Sequence, residues 1–265
     1  MLTINVFSNI CEIDPSRDTI FQTLDSFQEC FGVIRYKVNL FVHPSPFTRY
    51  FHQYNDSVKK YFSTLPELKI IKTRGLADGY KRSIVSAETK YLFQLEHDWL
   101  FERSAIAHSL DEIIDAMQKS SAEYFRFGKE PNARNKYGHS VIEAPMHDIP
   151  ACSVLSRSNN PHIINASAYR EKYLSYINDR LGGSSGVEEC LPDAPGAYVY
   201  GPLNYQPTIR HIDGRSRLVR FRKSIGKVPY KAIKSLGLLE PAFKVWASDP
   251  GRFTIRGIFS ADNRR

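Results

Sequence analysis

The chain is 265 residues long, 42% hydrophobic and 24% charged, with a formal net charge of +8. That composition excludes a disordered or fibrous protein, and the length is enough for one large α/β domain or two small ones with a sizeable core. No run reaches the roughly 18 apolar residues of a membrane helix, and Met1 to Pro15 lacks a basic n-region, so a secretory signal is not expected. The four cysteines, Cys11, Cys30, Cys152 and Cys190, form no C-x-x-C pair; a reduced, cytoplasmic setting suits them better than a disulfide framework or zinc ribbon. From Ile209 to Arg265 there are 14 Lys and Arg against 4 Asp and Glu, whereas the preceding 208 residues hold 22 against 24. The whole positive excess therefore sits in the last fifth of the chain.

In chain order, Leu2–Phe7 reads as a strand, apolar and β-branched. Thr19–Phe31 has helical spacing at Ile20, Leu24, Phe27 and Phe31, with Gly32 as a stop. Tyr36–Val42 is a second strand closed by His43-Pro44-Ser45-Pro46, followed by a helix over about 48–62. Leu68–Thr73 is a third strand, Ala77–Lys90 a helix, Tyr91–Leu95 a fourth strand and Ser104–Met117 a helix. This alternation predicts a mainly parallel sheet covered on both faces. Further on, Glu123–Gly128 and Val154–Arg157 are expected strands, Ala166–Ile177 a helix, Gly182–Gly186 a flexible loop, Glu188–Leu191 a stub of helix and Ala197–Tyr200 a strand. Residues 1–215 are expected to form the main domain, and 216–265 a basic extension with enough apolar residues to pack onto it.

In an open parallel sheet, ligands bind beyond the carboxyl ends of the strands. The fourth strand delivers Glu96-His97-Asp98 to that edge. Carboxylates two apart can point at one ligand, and hard oxygens suit Mg²⁺ or Mn²⁺ bridged to a diphosphate; an ordinary polar strand end has the same pattern. The segment Thr73-Arg74-Gly75-Leu76-Ala77-Asp78-Gly79-Tyr80-Lys81-Arg82, with Ala87 and Tyr91–Phe101, resembles the centre of the GT-A nucleotide-sugar glycosyltransferases, notably the family-2-like group. There an apolar strand ends in a D-x-D-like motif, here Glu96-His97-Asp98. Leu2–Asn9 is similar to the first strand and nucleotide-contacting turn of that group, and Ser158–Ile164 to its acceptor-side strand before a helix bearing Tyr169 and Arg170. Gly186-Val187-Glu188-Glu189 resembles the acidic pair supplying the base in inverting members.

The resemblance implies a GT-A (Rossmann-like) α/β fold and a Mn²⁺- or Mg²⁺-dependent transferase. It would move a sugar from a UDP-, GDP- or dTDP-linked donor to a glycan hydroxyl. It implies Asp98 as the first metal ligand, with Glu96 and His211 as further ligands, and donor contacts at Ser8, Asn9, Arg74, Asp78, Lys81, Glu96 and His97. His211, before Asp213-Gly214, also reads as a plain strand-end histidine, and Lys81 and Arg82 as a solvated helix face. Ser185-Gly186-Val187-Glu188 matches a helix capping box, which favours Glu189 as general base and leaves Glu188 to hold the acceptor.

Other chemistries fit less well. Gly182-x-Ser184-x-Gly186 matches a nucleophile elbow only formally, since a polar helix precedes it and Pro192 cuts short the helix after it. A nucleotidyltransferase would use the same edge, but Asn9-Ile10-Cys11-Glu12-Ile13-Asp14 lacks the glycine-rich basic loop expected after strand one. A non-enzymatic basic binding protein for nucleic acid or acidic surfaces is the third reading. No nucleic-acid motif marks the tail, so no nucleic-acid partner is expected, while its charge suits a peripheral membrane contact.

Overall fold

The computed structural model describes residues 2–8, 19–43, 51–61, 63, 67–134, 141–179 and 187–212, with backbone alone at 51, 57, 61 and 189. The chain divides into two units, Met1–Gly214 and Arg215–Arg265. The second unit, and with it the expected packing of 216–265, lies outside the described residues, as do the 182–186 loop, Asn9 and Ser185.

Strands β1 (Leu2–Ser8), β2 (Lys37–Val42), β3 (Leu68–Lys72) and β4 (Tyr91–Glu96) lie parallel in the order β3-β2-β1-β4. The sheet continues through β9 (His162–Asn165), β6 (Tyr124–Arg126), β10 (Ala197–Tyr200), β8 (Ala151–Val154) and β7 (Ile142–Glu143), nine strands in all. β9 runs antiparallel to both β4 and β6, and β8 antiparallel to β10 and β7; every other strand points one way. A separate antiparallel ribbon joins β5 (Trp99–Phe101) to β11 (Ile209–His211).

Period-two alternation divides the sheet's side chains between two cores. Leu2, Ile4 and Val6 face helices α1 (Thr19–Phe31), α2 (Phe51–Tyr61) and α4 (Leu110–Lys119), whose Ile20, Leu24, Phe27, Tyr54, Val58 and Ile113 fill that side. Phe7, Phe41, Leu92 and Tyr124 face α3 (Leu76–Val85) and α5 (Ala166–Lys172). Helix α3 comes close to the sheet at Gly79, where a Cβ would lie 3.2 Å from Phe7 Cδ1 and 3.3 Å from Phe41 Cβ. Edge-to-face rings, such as Phe27 on Phe93 at 5.2 Å and 87°, lock α1 over β4 and β5. No helix among the described residues is long and apolar enough to cross a membrane.

The α/β architecture, a mainly parallel sheet flanked by helices, is as expected. Several boundaries differ, each for a local reason. Helix α3 ends at Val85, not Lys90. Ser86 turns its hydroxyl back to the Arg82 carbonyl at 2.8 Å, and Arg170 Nη2 donates to the carbonyls of Ile84 and Ala87 at 3.0 and 3.3 Å. Helix α4 starts at Leu110 because Ser109 and Glu112 form a capping box, so Ser104 belongs instead to the 3-10 turn Arg103–Ala105. The expected strand Val154–Arg157 is shifted back to Ala151–Val154, and Arg157 turns inward to a polar cluster. Helix α5 stops at Lys172, short of Ile177.

Candidate active site

Alternation along β4 turns Leu95 toward the α1 core and leaves Gln94 and Glu96 beside α3. The ladder runs one residue further, since His97 N–H donates to the Phe7 carbonyl at 3.0 Å. His97 Nδ1 stands 3.2 Å from the same carbonyl oxygen. A carbonyl can only accept, so Nδ1 carries the proton and Nε2 offers a lone pair. That Nε2 is buried with no hydrogen-bond partner, and burial lowers the tendency of the ring to charge. Thr23 on α1 donates to the His97 carbonyl at 2.6 Å, clamping the strand exit.

Asp98 follows in the turn between β4 and β5. Its Oδ2 meets His211 Nε2 at 3.1 Å, its carbonyl accepts the Ile212 N–H at 2.8 Å, and its buried Oδ1 has no partner. The β5–β11 register sets His211 opposite Trp99, with ring centroids 4.7 Å apart. Burial opposes the Asp98 charge, but the His211 hydrogen bond and the neighbouring imidazoles outweigh it and hold the carboxyl below its usual range. Glu96 goes the other way: burial, then the charges of Asp98 and Glu188, push it up to about 8. Glu188 opens the 3-10 turn Glu188–Cys190 behind the buried Val187. Residues far apart in sequence, Glu96, Asp98, Glu188 and His211, are therefore gathered at the carboxyl edge of β4.

This gathering is looser than a finished metal centre. Asp98 and His211 touch and Glu96 lies within reach of the Asp98 charge, yet among the described residues no three His, Cys, Asp or Glu side chains form a ready ligand set. Ser185, the other half of the capping box that Glu188 matches, lies outside the described residues. Val187 is the N-cap and Glu188 the first residue of the turn, whereas a capping glutamate belongs at the third position. The Glu189 side chain lies outside the described residues.

Among the residues expected to contact a donor, Ser8 is buried at the end of β1, its carbonyl taking the His43 N–H at 2.8 Å and its hydroxyl the Tyr54 O–H at 3.4 Å. Asp78, in the first turn of α3, accepts the Arg74 amide and guanidinium at 3.0 Å each. Burial works against its charge, and these Arg74 contacts overcome it to hold the carboxyl low. Arg74 and Lys81 both also reach Asp179, at 2.8 and 3.7 Å. Asp78 thus orders the loop before α3, and Asp179 already partners the two cations expected at a donor.

Sequence reasoning named Glu96 and the Ser158–Ile164 segment in this region but gave Tyr80, Gln94, Asn159 and His162 no individual role. Phe7, Leu76, Tyr80, Gln94, Glu96, Asn159 and His162 line a narrow crevice beside the end of β4. His162 Nδ1 donates to the Asn160 carbonyl at 2.6 Å, so Nε2 accepts the Tyr80 O–H at 2.8 Å; burial drives this imidazole down to about 4. Asn159 Nδ2 is buried there without a partner. The available signal was the polar run Ser158–His162 beside a strand.

These shifts set a pH dependence. A carboxyl raised to about 8 binds its proton more tightly in the folded chain, so the Glu96 contribution to stability is full below about 4.5 and is lost as pH rises through about 8. His162, lowered to about 4, contributes oppositely, its stabilisation being lost as pH falls from about 6.5 toward 4. Above pH about 6.5 only the Glu96 effect remains of the two. Glu96→Gln is therefore expected to match wild type near pH 4.5 and to exceed it in urea unfolding at pH 8.5, without divalent cation.

No family model matches the sequence, and no curated protein matches it. Among solved structures, HddC from Yersinia pseudotuberculosis aligns with a TM-score of 0.50 and 11% identity, over 86% of this chain and 99% of that one. TarS 1-349 from S. aureus aligns at 0.49 and 12%, over 80% of this chain, which spans 60% of that protein. The mannosyltransferase PcManGT from Pyrobaculum calidifontis, in complex with GDP-Man and Mn²⁺, aligns at 0.47 and 14%, over 76% and 56%. At these identities, what the likeness to HddC establishes is the fold.

Proposed function

We propose that the chain is a glycosyltransferase that moves a sugar from a nucleoside-diphosphate sugar to a hydroxyl of a glycan acceptor. One observation carries this reading: a buried edge of a GT-A sheet where Glu96 lies within reach of the charges of Asp98 and Glu188, and His211 is bonded to Asp98.

Although the described residues form no ready ligand set of three, the orphaned buried oxygen of Asp98 suits a divalent cation. Asp98 keeps a buried oxygen with no protein partner, burial and then the charges of Asp98 and Glu188 push the Glu96 carboxyl up to about 8, and His211 supplies a nitrogen next to Asp98; hard oxygen with one imidazole would suit Mn²⁺ or Mg²⁺. Such an ion, when bound by Asp98, Glu96 and His211, supplies Lewis-acid stabilisation of the leaving diphosphate. The chain's own groups do the rest. Arg74 and Lys81 stand near the donor once Asp179 releases them, and His97 holds the exit of β4 in register. A glutamate of the Glu188–Glu189 pair takes the proton of the acceptor hydroxyl as its oxygen bonds to the anomeric carbon and the bond to the diphosphate breaks. Glu189 is the first choice of the two, with Glu188, whose charge reaches Glu96, holding the acceptor, and the product is then inverted. The reaction would take place in the cytoplasm, with the basic residues beyond Arg215 meeting the acceptor or a membrane surface.

The test is incubation of the full chain with UDP-, GDP- and dTDP-sugars, with Mn²⁺, with Mg²⁺ and with chelator, following donor cleavage and the anomeric form of the product. Cleavage of one nucleotide class that needs the cation supports the reading. Glu188→Gln and Glu189→Gln tell the base from its neighbour: the base variant is expected to lose about 10²–10⁴-fold in rate. Absence of cleavage with every donor would overturn the proposal.

A further inference from the structure

Two cations at the start of α3 are bridged by a carboxylate from a distant part of the chain. Asp179 Oδ2 accepts from Arg74 Nη2 at 2.8 Å, and its other oxygen, Oδ1, faces Lys81 Nζ at 3.7 Å. Arg74 belongs to the loop before α3 and Lys81 to the helix itself. Asp179 reaches Arg74 across 105 residues of sequence. It is brought there by Tyr173 and Ile177, which follow α5 and are buried in the core shared with Ala77, Tyr80 and Ile84 of α3.

The two carboxylates that hold Arg74 have different standing. Asp78 takes its amide on Oδ2 and its guanidinium on Oδ1, at 3.0 Å each, with a side chain only 10% exposed. Asp78 therefore keeps Arg74 aimed whether or not Asp179 is in contact. The Asp179 side chain is 28% exposed, and its two cations are 72% and 37% exposed. Ion pairs this open add little to stability, and one side-chain rotation gives them up while Ile177 stays buried. Their main effect is neutralisation: another anion meets Arg74 and Lys81 only by displacing Asp179. A phosphoryl group presents paired oxygens as a carboxylate does, with more charge, so it can take the same two cations.

We propose that Asp179 is an intramolecular competitor of the nucleotide's phosphoryl groups. It holds Arg74 and Lys81 while no nucleotide is bound, turns out when a diphosphate enters, and returns as the nucleoside diphosphate leaves. The inference rests on the glycosyltransferase reading and adds regulation of the donor site to it. Donor and released product carry the same phosphoryl oxygens, so Asp179 weakens both by one factor and shortens the stay of the product.

The test is isothermal titration of the full chain with inorganic pyrophosphate, UDP, GDP and dTDP in Mg²⁺, comparing wild type with Asp179→Asn. The variant keeps the shape of the side chain and removes its charge, and is expected to bind at least one of these anions about three- to tenfold more tightly. Glu171→Gln, at an exposed position of α5, also removes one negative charge and is expected to change nothing. Once Arg74→Gln and Lys81→Gln are both present, the gain from Asp179→Asn is expected to vanish. Unfolding midpoints verify that each variant keeps its fold. The inference is overturned by unchanged or weaker binding in Asp179→Asn, by an equal gain in Glu171→Gln, by a gain that survives the loss of both cations, or by no binding of any anion to either form. Donor cleavage by the wild-type chain separates the two claims. Cleavage without a gain in Asp179→Asn sinks the competitor alone; the gain without cleavage of any donor keeps the competitor and sinks the transferase reading.

Discussion

Asp98→Asn is expected to reduce sugar transfer by about 10²–10³-fold, roughly 3–4 kcal/mol of transition-state stabilisation, with little loss of folded stability. The substitution keeps the shape of the side chain and an oxygen able to accept from His211. It removes the charge that Oδ1 presents, unpartnered, at the sheet edge. The folded chain loses one hydrogen bond of charged character and gains relief for Glu96, which the Asp98 carboxylate pushes upward. Rates at saturating donor and Mn²⁺, set beside urea unfolding of the same variant, check both halves. Full activity in the variant would remove Asp98 from the reaction.

The second large effect falls on stability. Arg157 has a side chain only 1% exposed. It donates to the Tyr173 hydroxyl at 2.6 Å and to the carbonyls of Pro192 and Ala194 at 3.1 and 3.4 Å. It also approaches Glu123 at 3.9 Å and lies over the Tyr173 ring at 4.2 Å. Removing one partner of a buried charged cluster costs about 3–5 kcal/mol. Glu123 keeps Lys172 and Tyr173, which places Arg157→Ala near the lower end of that range. Urea unfolding is expected to show the loss, together with a fall in the thermal midpoint of roughly 10 °C. Glu188 lies four residues before Pro192, the segment Arg157 anchors, so the rate is expected to fall as well. Arg157→Lys, which keeps the charge but not the fork of donors, is expected to recover part of the stability and less of the rate.

How much of this was legible in the sequence can be traced residue by residue. Strand β1 and helix α1 were readable because their apolar spacing is strong and Gly32 adopts a positive φ of 81° at the helix end. The direction of β8 and β9 was not readable, because alternation reports which face a residue occupies and says nothing of polarity along the sheet. The three-residue strands β5 and β11 exist only through each other, more than a hundred residues apart in the chain, and no local window contains that pairing. The same limit governs the site. Glu96-His97-Asp98 was visible as a polar end to an apolar strand. That His211 would bond to Asp98 depends on the β5–β11 register. That the charge of Glu188 would reach Glu96 depends on where the chain returns after α5. Arg157 was obscured by its own burial: a charged residue next to Val154 reads as a strand continuing outward, and only the Tyr124–Tyr173–Glu123 cluster explains why it turns in.

The hydrogen bond from Ile212 N–H to the Asp98 carbonyl ties the departing end of the first unit to the residue at the centre of the site. Any ligand that draws Asp98 toward itself also loads that bond. Such a coupling is reciprocal: whatever factor an event at the exit imposes on affinity at Asp98, binding at Asp98 imposes on the exit. The exchange rate of the Ile212 amide is thus a built-in gauge of the site, readable without a substrate and before any turnover has occurred.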